Sequence, residues 1–377
     1  MFATQHHLCQ TNMLLNDYNA AYTVLQEAKP LIQTDKEETL YYQTLIQILM
    51  KLGYKNKAYK VCDKVIFSNM SWDIKNEFIN HQSSLISRLN NSNIVNISCP
   101  TPEFYSVSSP SILSRDDGYL CNLRLVNYHY GDGQYPTRNS GPVNTINYMV
   151  NLDNDYNIQH MWEINECPNL SIYHSYVKGM EDVRLFGPNY FFCTRLDVNA
   201  NNVPKICLGT YEDEQLINMK ILDYNNMKTE KNWLPIYDNG DCKVIYSFEP
   251  LTIYDLDLTS GTLTPFSHNK VINKDLSSFR GSAVPIKYRF ENKKGFLMTI
   301  HQVYYHRLRK YLHRLVWLSD DFATLKYSKS FYFEKVGIEF TLGLCQHKDG
   351  ILFTYSVDDN HPKISLVDFD TIDTMLS

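Results

Sequence analysis

The sequence predicts a mainly β protein, a five-bladed β-propeller preceded by a small N-terminal α-helical region. Three observations predict this fold class. Residues 8 to about 92 carry apolar residues at helical spacing. The pattern then changes near Ser98–Pro102, and short strand-like segments continue to the end of the chain. These segments cluster about every 45–55 residues, a spacing typical of propeller blades. We therefore expect a helical-repeat region over residues 1–95 and a propeller domain over residues 96–377.

Two similar helical segments lie in the N-terminal region. The motif Ala-Tyr-x-Val at residues 21–24 recurs at residues 58–61. This separation is close to the period of ~34 residues that is typical of tetratricopeptide-type helix pairs. Between the two segments, residues 38–50 predict a helix that Gly53 ends. Because a free solenoid needs about three repeats, we expect this region to pack on its neighbour or to continue a longer array.

The C-terminal region contains strand patterns bounded by turn residues. The clearest lie at residues 118–126, 189–196 and 350–357. Further patterns lie at residues 242–246, 295–300, 312–318 and 364–369. No helical pattern separates these segments, so a sandwich, a barrel or a propeller is expected rather than βαβ units. Five four-stranded blades fit the length and the spacing best.

Composition excludes several classes of function. Charged residues make up 20% of the chain and the net charge is −5, so a nucleic-acid partner is not indicated. No run of ~18 apolar residues and no signal-peptide pattern is present, which argues against a membrane span. The nine cysteines show no metal-ligand spacing, which favours reduced thiols in a cytoplasmic protein and argues against a structural zinc site. No cofactor is predicted.

Tyrosine is unusually frequent, with 28 residues in an aromatic content of 13%. Its ring packs well on a pleated sheet, and its flat face beside a hydroxyl also suits sugar binding. For any single tyrosine, the structural interpretation is favoured over the functional one.

Several polar motifs occur in the β region where a strand or a turn does not require them. They are Glu-Asp-Val-Arg at residues 181–184, Lys-Asn-Trp-Leu-Pro at 231–235, Tyr-Ser-Phe-Glu-Pro at 246–250, Arg-Gly-Ser-Ala-Val-Pro-Ile at 280–286, and Tyr-Ser-Val-Asp-Asp at 355–359. Each motif alone is weakly specific. Their order and their blade-like spacing together identify a protein family better than any one motif does.

In this order the motifs resemble those of the five-bladed propellers of mannoside phosphorylases and their mannosyltransferase relatives. The resemblance covers roughly residues 104 to 370 and leaves out the helical region. In that family, the first strands of the blades line a central pocket and the motifs lie at its mouth. The resemblance therefore implies a carbohydrate-active site in the pocket.

The resemblance also implies roles for individual residues. Glu181, Asp182 and Asp359 are the catalytic candidates, and Asp359 or its neighbour Asp358 would hold sugar hydroxyls. Arg184 and Lys231 would bind phosphate, since a planar guanidinium grips phosphate oxygens bidentately and an ammonium supplies a point charge. The remaining binding candidates are Asn232, Arg280, Arg124, Asn127, His301, Glu249 and Glu339.

One departure from the family concerns the acid. The phosphorylases carry a proton-donating Asp in the first blade, and no residue of this sequence aligns with it. This blade offers Arg124, Asn127 and Asn147 as polar pocket candidates. The acidic candidates in the region are Asp116, Asp117, Asp132 and Asp153. Cleavage of a glycoside needs a placed acid to protonate the leaving group. A nucleotide diphosphate leaves without protonation if cations stabilise it.

The sequence therefore predicts a metal-independent glycosyltransferase that moves a mannose-like sugar from a nucleotide sugar to a carbohydrate acceptor. The alternatives are a mannoside phosphorylase or glycoside hydrolase and a non-catalytic carbohydrate-binding propeller. The helical region could bind a protein partner or mediate self-association, and a scaffold is the competing interpretation.

Structural alternatives also exist for the motifs. Residues 181–184 could form a buried ion pair, and residues 231–233 could form a turn with a core Trp. For Glu339, a structural position and a position in the pocket are equally expected. The basic cluster at residues 306–314 is expected to be a solvated hairpin tip, with an entrance patch for an anionic donor as the alternative.

Overall fold

A computed structural model describes residues 1–66, 68, 70–130, 135–164, 169–222, 228–266, 276–304 and 309–377. The chain divides into two compact units, Met1–Ser87 and Arg88–Ser377. Residue 95, where the sequence places the end of the helical region, lies within a strand of the second unit.

The first unit is helical. Its helices are α1 (Phe2–Leu14), α2 (Tyr18–Ala28), α3 (Asp35–Lys51), α4 (Lys55–Ile66) and α5 (Trp72–Leu85), with a 3-10 turn at Lys29–Leu31. Helix α3 contains the helix predicted over residues 38–50. A capping box starts it, in which Thr34 and Glu37 satisfy each other's backbone N–H groups. Ala21 and Ala58, which occupy equivalent places in the repeated motif, are both fully buried. The tetratricopeptide character of these helices stays a prediction. None of the helices in the described residues is long and apolar enough to cross a membrane.

The second unit is built almost entirely of strands. The first strands of the chain are β1 (Ser87–Arg88), β2 (Ser92–Asn96), β3 (Ser106–Arg115), β4 (Gly118–Val126), β5 (Val143–Leu152), β6 (Ile158–Glu163), β7 (Val177–Lys178), β8 (Glu181–Phe186), β9 (Tyr190–Arg195), β10 (Lys205–Glu212), β11 (Gln215–Leu222) and β12 (Leu234–Asp238). They continue with β13 (Asp241–Phe248), β14 (Leu251–Leu256), β15 (Leu263–Pro265), β16 (Arg280–Gly281), β17 (Ile286–Phe290), β18 (Lys293–Tyr304), β19 (Lys310–Ser319), β20 (Leu325–Tyr327), β21 (Phe331–Tyr332), β22 (Glu339–His347), β23 (Gly350–Val357) and β24 (His361–Asp368). Helix α6 (Phe369–Leu376) ends the chain. Strands β4, β9 and β23 confirm the three clearest strand predictions.

Four sheets follow the regular path of a propeller blade. Three of them are the antiparallel series β3 to β6, β8 to β11 and β12 to β15, and the fourth joins β22, β23 and β24 to β2. Strand β2 comes from the beginning of the unit, so this sheet ties the start of the unit to its end. A fifth sheet departs from the pattern, because β16 and β17 both pair with β18 while β20 and β21 both pair with β19. The prediction of five equal four-stranded blades is therefore correct only for the four regular sheets.

Hydrophobic clusters join the sheets in a cyclic order. Each cluster takes side chains from two sheets that follow one another in the chain, as Met149 and Leu185 do between the first and second sheets. The same holds for the next pairs of sheets. The last sheet packs on the first through a cluster that contains Leu123 and Leu352. The unit is therefore mainly β with a propeller-like arrangement. The described cysteines form no disulfide.

Candidate functional site

A cavity of about 490 Å³ lies at one end of the sheets of the second unit. The beginnings of β8 and β22 and the ends of β4, β18 and β23 surround it. The predicted site residues that line it are Glu181, Asp182, Asp359, Lys231, Asn232, Arg280, Arg124 and His301. Motifs that are distant in the sequence thus converge on one space.

Charged groups at the cavity form a connected network. Arg124 donates from Nη2 to Glu181 Oε1 at 3.0 Å and from Nη1 to Asp182 Oδ1 at 3.3 Å. Lys231 Nζ donates to Glu181 Oε2 at 3.3 Å. Burial acts to raise the pKa of Glu181, but the positive charges of Arg124 and Lys231 outweigh it and hold that pKa below its ordinary value. Glu181 is therefore ionised at neutral pH and can accept hydrogen bonds from ligand hydroxyls.

A β-bulge places two consecutive carboxylates in the cavity. The pairing of β8 with β9 shifts register between Glu181 and Arg184, and Asp182 has a φ of 53°. Because a bulge breaks the alternation of side chains along a strand, Glu181 and Asp182 both line the cavity.

Asp359 lies in the tight turn between β23 and β24. The φ angles of Asp358 and Asp359 are 55° and 52°, and Asn360 N–H donates to Val357 O at 3.1 Å. Two successive residues with positive φ define a type I′ hairpin turn, a conformation that Asp tolerates better than most residues. The turn places Asp359 at the cavity.

The surroundings of Asp359 favour its protonated form. Burial raises the pKa of Asp359 to about 6, and although Arg124 and Arg309 oppose this effect, Asp182 and Glu181 add to it. A carboxyl with this pKa is about half protonated at pH 6 and about one-tenth protonated at pH 7, far more than an ordinary Asp. It can therefore act as a general acid.

Arg280 and His301 are directly paired with each other where the short strand β16 meets β18. The exposed Arg280 has no ion-pair partner among the described residues. His301 is 3% exposed, and its Nδ1 has no hydrogen-bond partner among them. Burial and the nearby His313, Arg184 and Arg280 hold the pKa of His301 well below its ordinary value, so its imidazole is neutral. A free guanidinium beside an unpaired imidazole nitrogen is suited to an anion that also carries a hydrogen-bonding group.

Tyrosines form part of the wall of the cavity, and the sequence did not identify them individually. They are Tyr128, Tyr135, Tyr176 and Tyr311, with Phe340 beside them. Arg309 joins this wall, since its Nη1 donates to the Tyr135 hydroxyl at 2.7 Å and its guanidinium lies 4.7 Å from the centroid of that ring. Tyrosine content alone could have suggested such a wall, but not which of the 28 tyrosines form it.

Arg184 and Asn127 do not line the cavity, contrary to expectation. Arg184 is fully buried, and it donates to Ser282 O at 2.9 Å and to Asn232 Oδ1 at 3.1 Å. Arg184 therefore orients Asn232, which lines the cavity, without lining the cavity itself. Asn127 is buried in the loop after β4, where its Nδ2 donates to Pro142 O at 2.9 Å and its Oδ1 accepts from Asn144 N–H at 2.8 Å. Its amide is thus used to fold that loop.

Three further candidates also lie away from the cavity lining. Glu249 belongs to the hairpin turn between β13 and β14. Asp358 is exposed and forms an ion pair with Lys335. Glu339 is fully buried, and its carboxylate accepts hydrogen bonds from backbone N–H groups. Asp358 and Glu339 therefore have structural partners in place of a ligand.

The described acid candidates of the first blade do not line the cavity. Asp116 and Asp117 lie in the turn between β3 and β4, at the far end of the hairpin from Arg124. Asp153 organises a turn by accepting from the backbone N–H groups of Asp155 and Asn157. Asp132 lies outside the described residues. The first sheet supplies Ser109 and Arg124 to the cavity but none of its described carboxylates.

The remaining polar candidates have structural partners. Asn147 is buried and donates to Met180 O at 3.0 Å. In the basic cluster, residues 306–308 lie outside the described part of the chain. A solvated tip with alternating inward residues was expected there, and His313 and Arg314, which are adjacent in β19, are both buried. Arg314 stacks on the ring of Phe279 at 4.5 Å, which compensates for its loss of water.

Among the described residues, no group of three His, Cys, Asp or Glu side chains could hold a metal ion.

Comparison with solved structures places the fold beside carbohydrate-active proteins. β-1,2-Mannobiose phosphorylase from Listeria innocua, in complex with β-1,2-mannobiose, has 16% identity and a TM-score of 0.50, over 76% of this chain and 99% of that one. MPT-1, a GDP-Man-dependent mannosyltransferase from Leishmania mexicana, has 12% identity and a TM-score of 0.50, over 79% of this chain and 94% of that one. At these identities the likeness shows a shared fold. No protein-family model and no curated protein sequence matches the chain.

Proposed function

We propose that the cavity is the active site of a mannoside phosphorylase, which cleaves a glycosidic bond with inorganic phosphate and can run in reverse. The observation that carries this proposal is the position of Asp359, a carboxyl that the turn between β23 and β24 places at the cavity beside the charges of Arg124, Asp182 and Glu181. Burial, which raises the pKa of Asp359 to about 6, supports its role as an acid. The sequence favoured transfer from a nucleotide sugar because it offered no acid in the first blade. Asp359 supplies an acid from the last sheet instead. Mannose as the sugar rests on the motif resemblance and on the shared fold.

In the proposed reaction, Asp359 is the general acid and inorganic phosphate is the nucleophile. Asp359 gives its proton to the glycosidic oxygen as the bond between that oxygen and the anomeric carbon breaks. An oxygen of hydrogen phosphate forms the new bond to the anomeric carbon. The proton that the phosphate loses restores the Asp359 carboxyl through solvent. The products are a sugar 1-phosphate and the released alcohol.

Cationic and neutral donors would hold the phosphate. Arg280 and Lys231 supply positive charge, and His301 offers an unpaired ring nitrogen. Arg184 donates to Asn232 Oδ1, which leaves the NH2 group of Asn232 as a donor for a ligand. The ionised Glu181 would accept sugar hydroxyls, and the tyrosine wall would contact the apolar face of the sugar.

A nucleotide-sugar glycosyltransferase is the second candidate. One observation favours it, namely that none of the described carboxylates of the first sheet reaches the cavity while four cations do. Those cations are Arg124, Lys231, Arg280 and Arg309. A diphosphate leaving group needs positive charge rather than a proton.

One experiment separates these functions. The full chain is incubated with β-1,2-mannobiose and inorganic phosphate, and separately with GDP-mannose and mannose, and products are followed by phosphorus NMR. Phosphate-dependent formation of mannose 1-phosphate supports the phosphorylase. Release of GDP with transfer of mannose supports the transferase. Binding of the sugars without either product would contradict both and would leave a carbohydrate-binding module.

Two finer points of the architecture also belong to this proposal. We propose that the irregular sheet around β18 and β19 is a fifth blade, modified by the doubled pairing of both strands. We propose that the helical unit binds a protein partner or a second copy of the chain. Light scattering across a range of protein concentrations tests self-association, and a constant monomer mass would contradict it.

A further inference from the structure

Glu339 is a fully buried carboxylate at the start of β22. Its Oε2 accepts from Phe333 N–H at 2.7 Å, and its Oε1 accepts from Glu334 N–H at 2.7 Å and from Lys335 N–H at 2.8 Å. No cationic side chain among the described residues lies within ion-pair distance of it. Charged groups are almost never fully buried without a charged partner. Backbone amides alone therefore hold this carboxylate.

The segment that Glu339 holds is hydrogen-bonded to a residue that lines the cavity and to a residue next to one. Glu339 binds the first residues of the segment 333–338, and the last two residues of the segment present their carbonyl groups to neighbouring strands. Gly337 O accepts from Tyr311 N–H at 2.8 Å, and Ile338 O accepts from Asp358 N–H at 2.8 Å. Tyr311 lines the cavity, and Asp358 directly precedes Asp359.

We propose that Glu339 is a positioning residue that fixes the segment 333–338, and through its two carbonyl groups fixes the Asp358–Asp359 turn and Tyr311. The catalytic consequence rests on the proposed function, because it needs Asp359 to be the acid. The positional part does not depend on which reaction the cavity carries out.

The conformation of the turn explains why such a support is needed. Asp358 and Asp359 both have positive φ angles, which cost energy for residues other than glycine and persist when the surroundings hold them. The bond from Asp358 N–H to Ile338 O is a contact from outside the hairpin. The ion pair between Lys335 and Asp358 is exposed and adds little.

Burial of the charged Glu339 carboxylate costs free energy, because the carboxylate loses its contact with water. An uncharged side chain at the same position would avoid this cost. Burial raises the pKa of Glu339 to about 7 in spite of its three backbone hydrogen bonds. A neutral side chain could fill the same space without this cost, but only the ionised carboxylate, which predominates above about pH 7, presents two oxygens that both accept in one plane. A glutamine would turn one of the two acceptors into a donor facing another donor.

Amide hydrogen exchange tests the positional part. In Glu339→Gln, the amides of Tyr311 and Asp358 are expected to exchange roughly tenfold faster or more than in the wild type. Glu334→Gln is the matched control, because Glu334 lies in the same segment but its carboxylate accepts from Lys363 Nζ and from the Tyr355 hydroxyl. The control should leave both amides protected. Unchanged exchange of both amides in a folded Glu339→Gln protein would overturn the proposal.

Activity provides the second arm of the experiment. With β-1,2-mannobiose and phosphate, Glu339→Gln is expected to lower kcat roughly 10- to 100-fold with a smaller change in KM, because the acid is displaced. It should also shift the pH profile of kcat, which a loss of folded protein would not do. Glu339→Asp, which keeps the charge, is measured alongside in case the glutamine variant does not fold. If the wild type shows no turnover, the proposed function fails while the exchange measurement still decides the positioning role.

Discussion

Arg124 Nη2 lies 3.0 Å from Glu181 Oε1, and this contact joins residues that are 57 positions apart in the chain. The guanidinium belongs to the end of β4 and the carboxylate to the start of β8, so the ion pair links the first and second sheets at the cavity. Both side chains are mostly buried, with exposed fractions of 7% and 16%. The pair therefore contributes both to the architecture and to the charge that surrounds Asp359.

Replacement of Arg124 by Met should destabilise the protein strongly. Glu181 and Asp182 would lose their main partner while remaining mostly buried, which typically costs ~3–5 kcal/mol. The free energy of unfolding in urea measures this loss. Arg115→Met is the matched control on the same hairpin, because Arg115 is exposed and donates only to neutral oxygens. A change for Arg124→Met as small as that of the control would show that the ion pair is not stabilising.

Glu339 should make stability depend on pH. Burial raises its folded-state pKa from 4.5 to about 7, so the folded chain binds this proton more tightly than the unfolded chain. The resulting stabilisation is complete below about pH 4.5 and is lost as the pH rises through about 7, with a size on the order of 3 kcal/mol. Glu339→Gln should remove this part of the slope when unfolding is measured between pH 4.5 and 8. Parallel slopes for the wild type and the variant would contradict the assignment.

Gly281 should not tolerate a side chain. A Cβ at this position would lie 2.3 Å from Asn232 O and 2.5 Å from Leu234 Cγ, and both contacts are too short. Gly281→Ala should therefore cost ~1–3 kcal/mol and displace Asn232 from the cavity. Thermal unfolding and phosphate affinity measure the two effects. Gly141→Ala is the control, since its nearest new neighbour is Asn139 Oδ1 at 3.6 Å, and it should change neither quantity appreciably.

Arg280 should bind phosphate without contributing to stability. Its guanidinium is exposed at the cavity and has no ion-pair partner among the described residues, so Arg280→Met should change the free energy of unfolding by less than ~0.5 kcal/mol. The rise in Tm that phosphate causes in the wild type should be lost. Lys287→Met, which removes an exposed cation away from the cavity, should retain it. A full phosphate response in Arg280→Met would exclude Arg280 from the site.

The sequence predicted the strands well because their residues carry local information. Alternating aromatic and branched residues bounded by turn residues were sufficient for β4, β9 and β23. The order of the polar motifs also predicted that Glu181 and Lys231 lie at one cavity. The irregular sheet around β18 and β19 could not be predicted. The pairing of two short strands with one long strand does not change the alternation of residues in the sequence, from which the strands were predicted.

The errors in the site have specific physical causes. Arg184 was assigned to the pocket by its place in the motif, but its guanidinium is fully buried and donates to Ser282 O and Asn232 Oδ1. The sequence left Glu339 open between a pocket position and a structural one, because nothing local shows that the amides of residues 333–335 bind it. The raised pKa of Asp359 arises from burial and from charges on other sheets, so no reading of the motif could assign it the role of an acid.

The effect of Asp359→Asn on two substrates with different leaving groups tests the central claim most directly. Cleavage of β-1,2-mannobiose needs a proton on the leaving oxygen, whereas a dinitrophenyl mannoside releases a stable anion without one. The account predicts that kcat/KM falls by roughly 10²- to 10⁴-fold for the disaccharide and by less than about tenfold for the dinitrophenyl mannoside, while Asp358→Asn changes neither strongly. Equal losses on both substrates, or none on the disaccharide, would contradict the assignment of Asp359 as the proton donor.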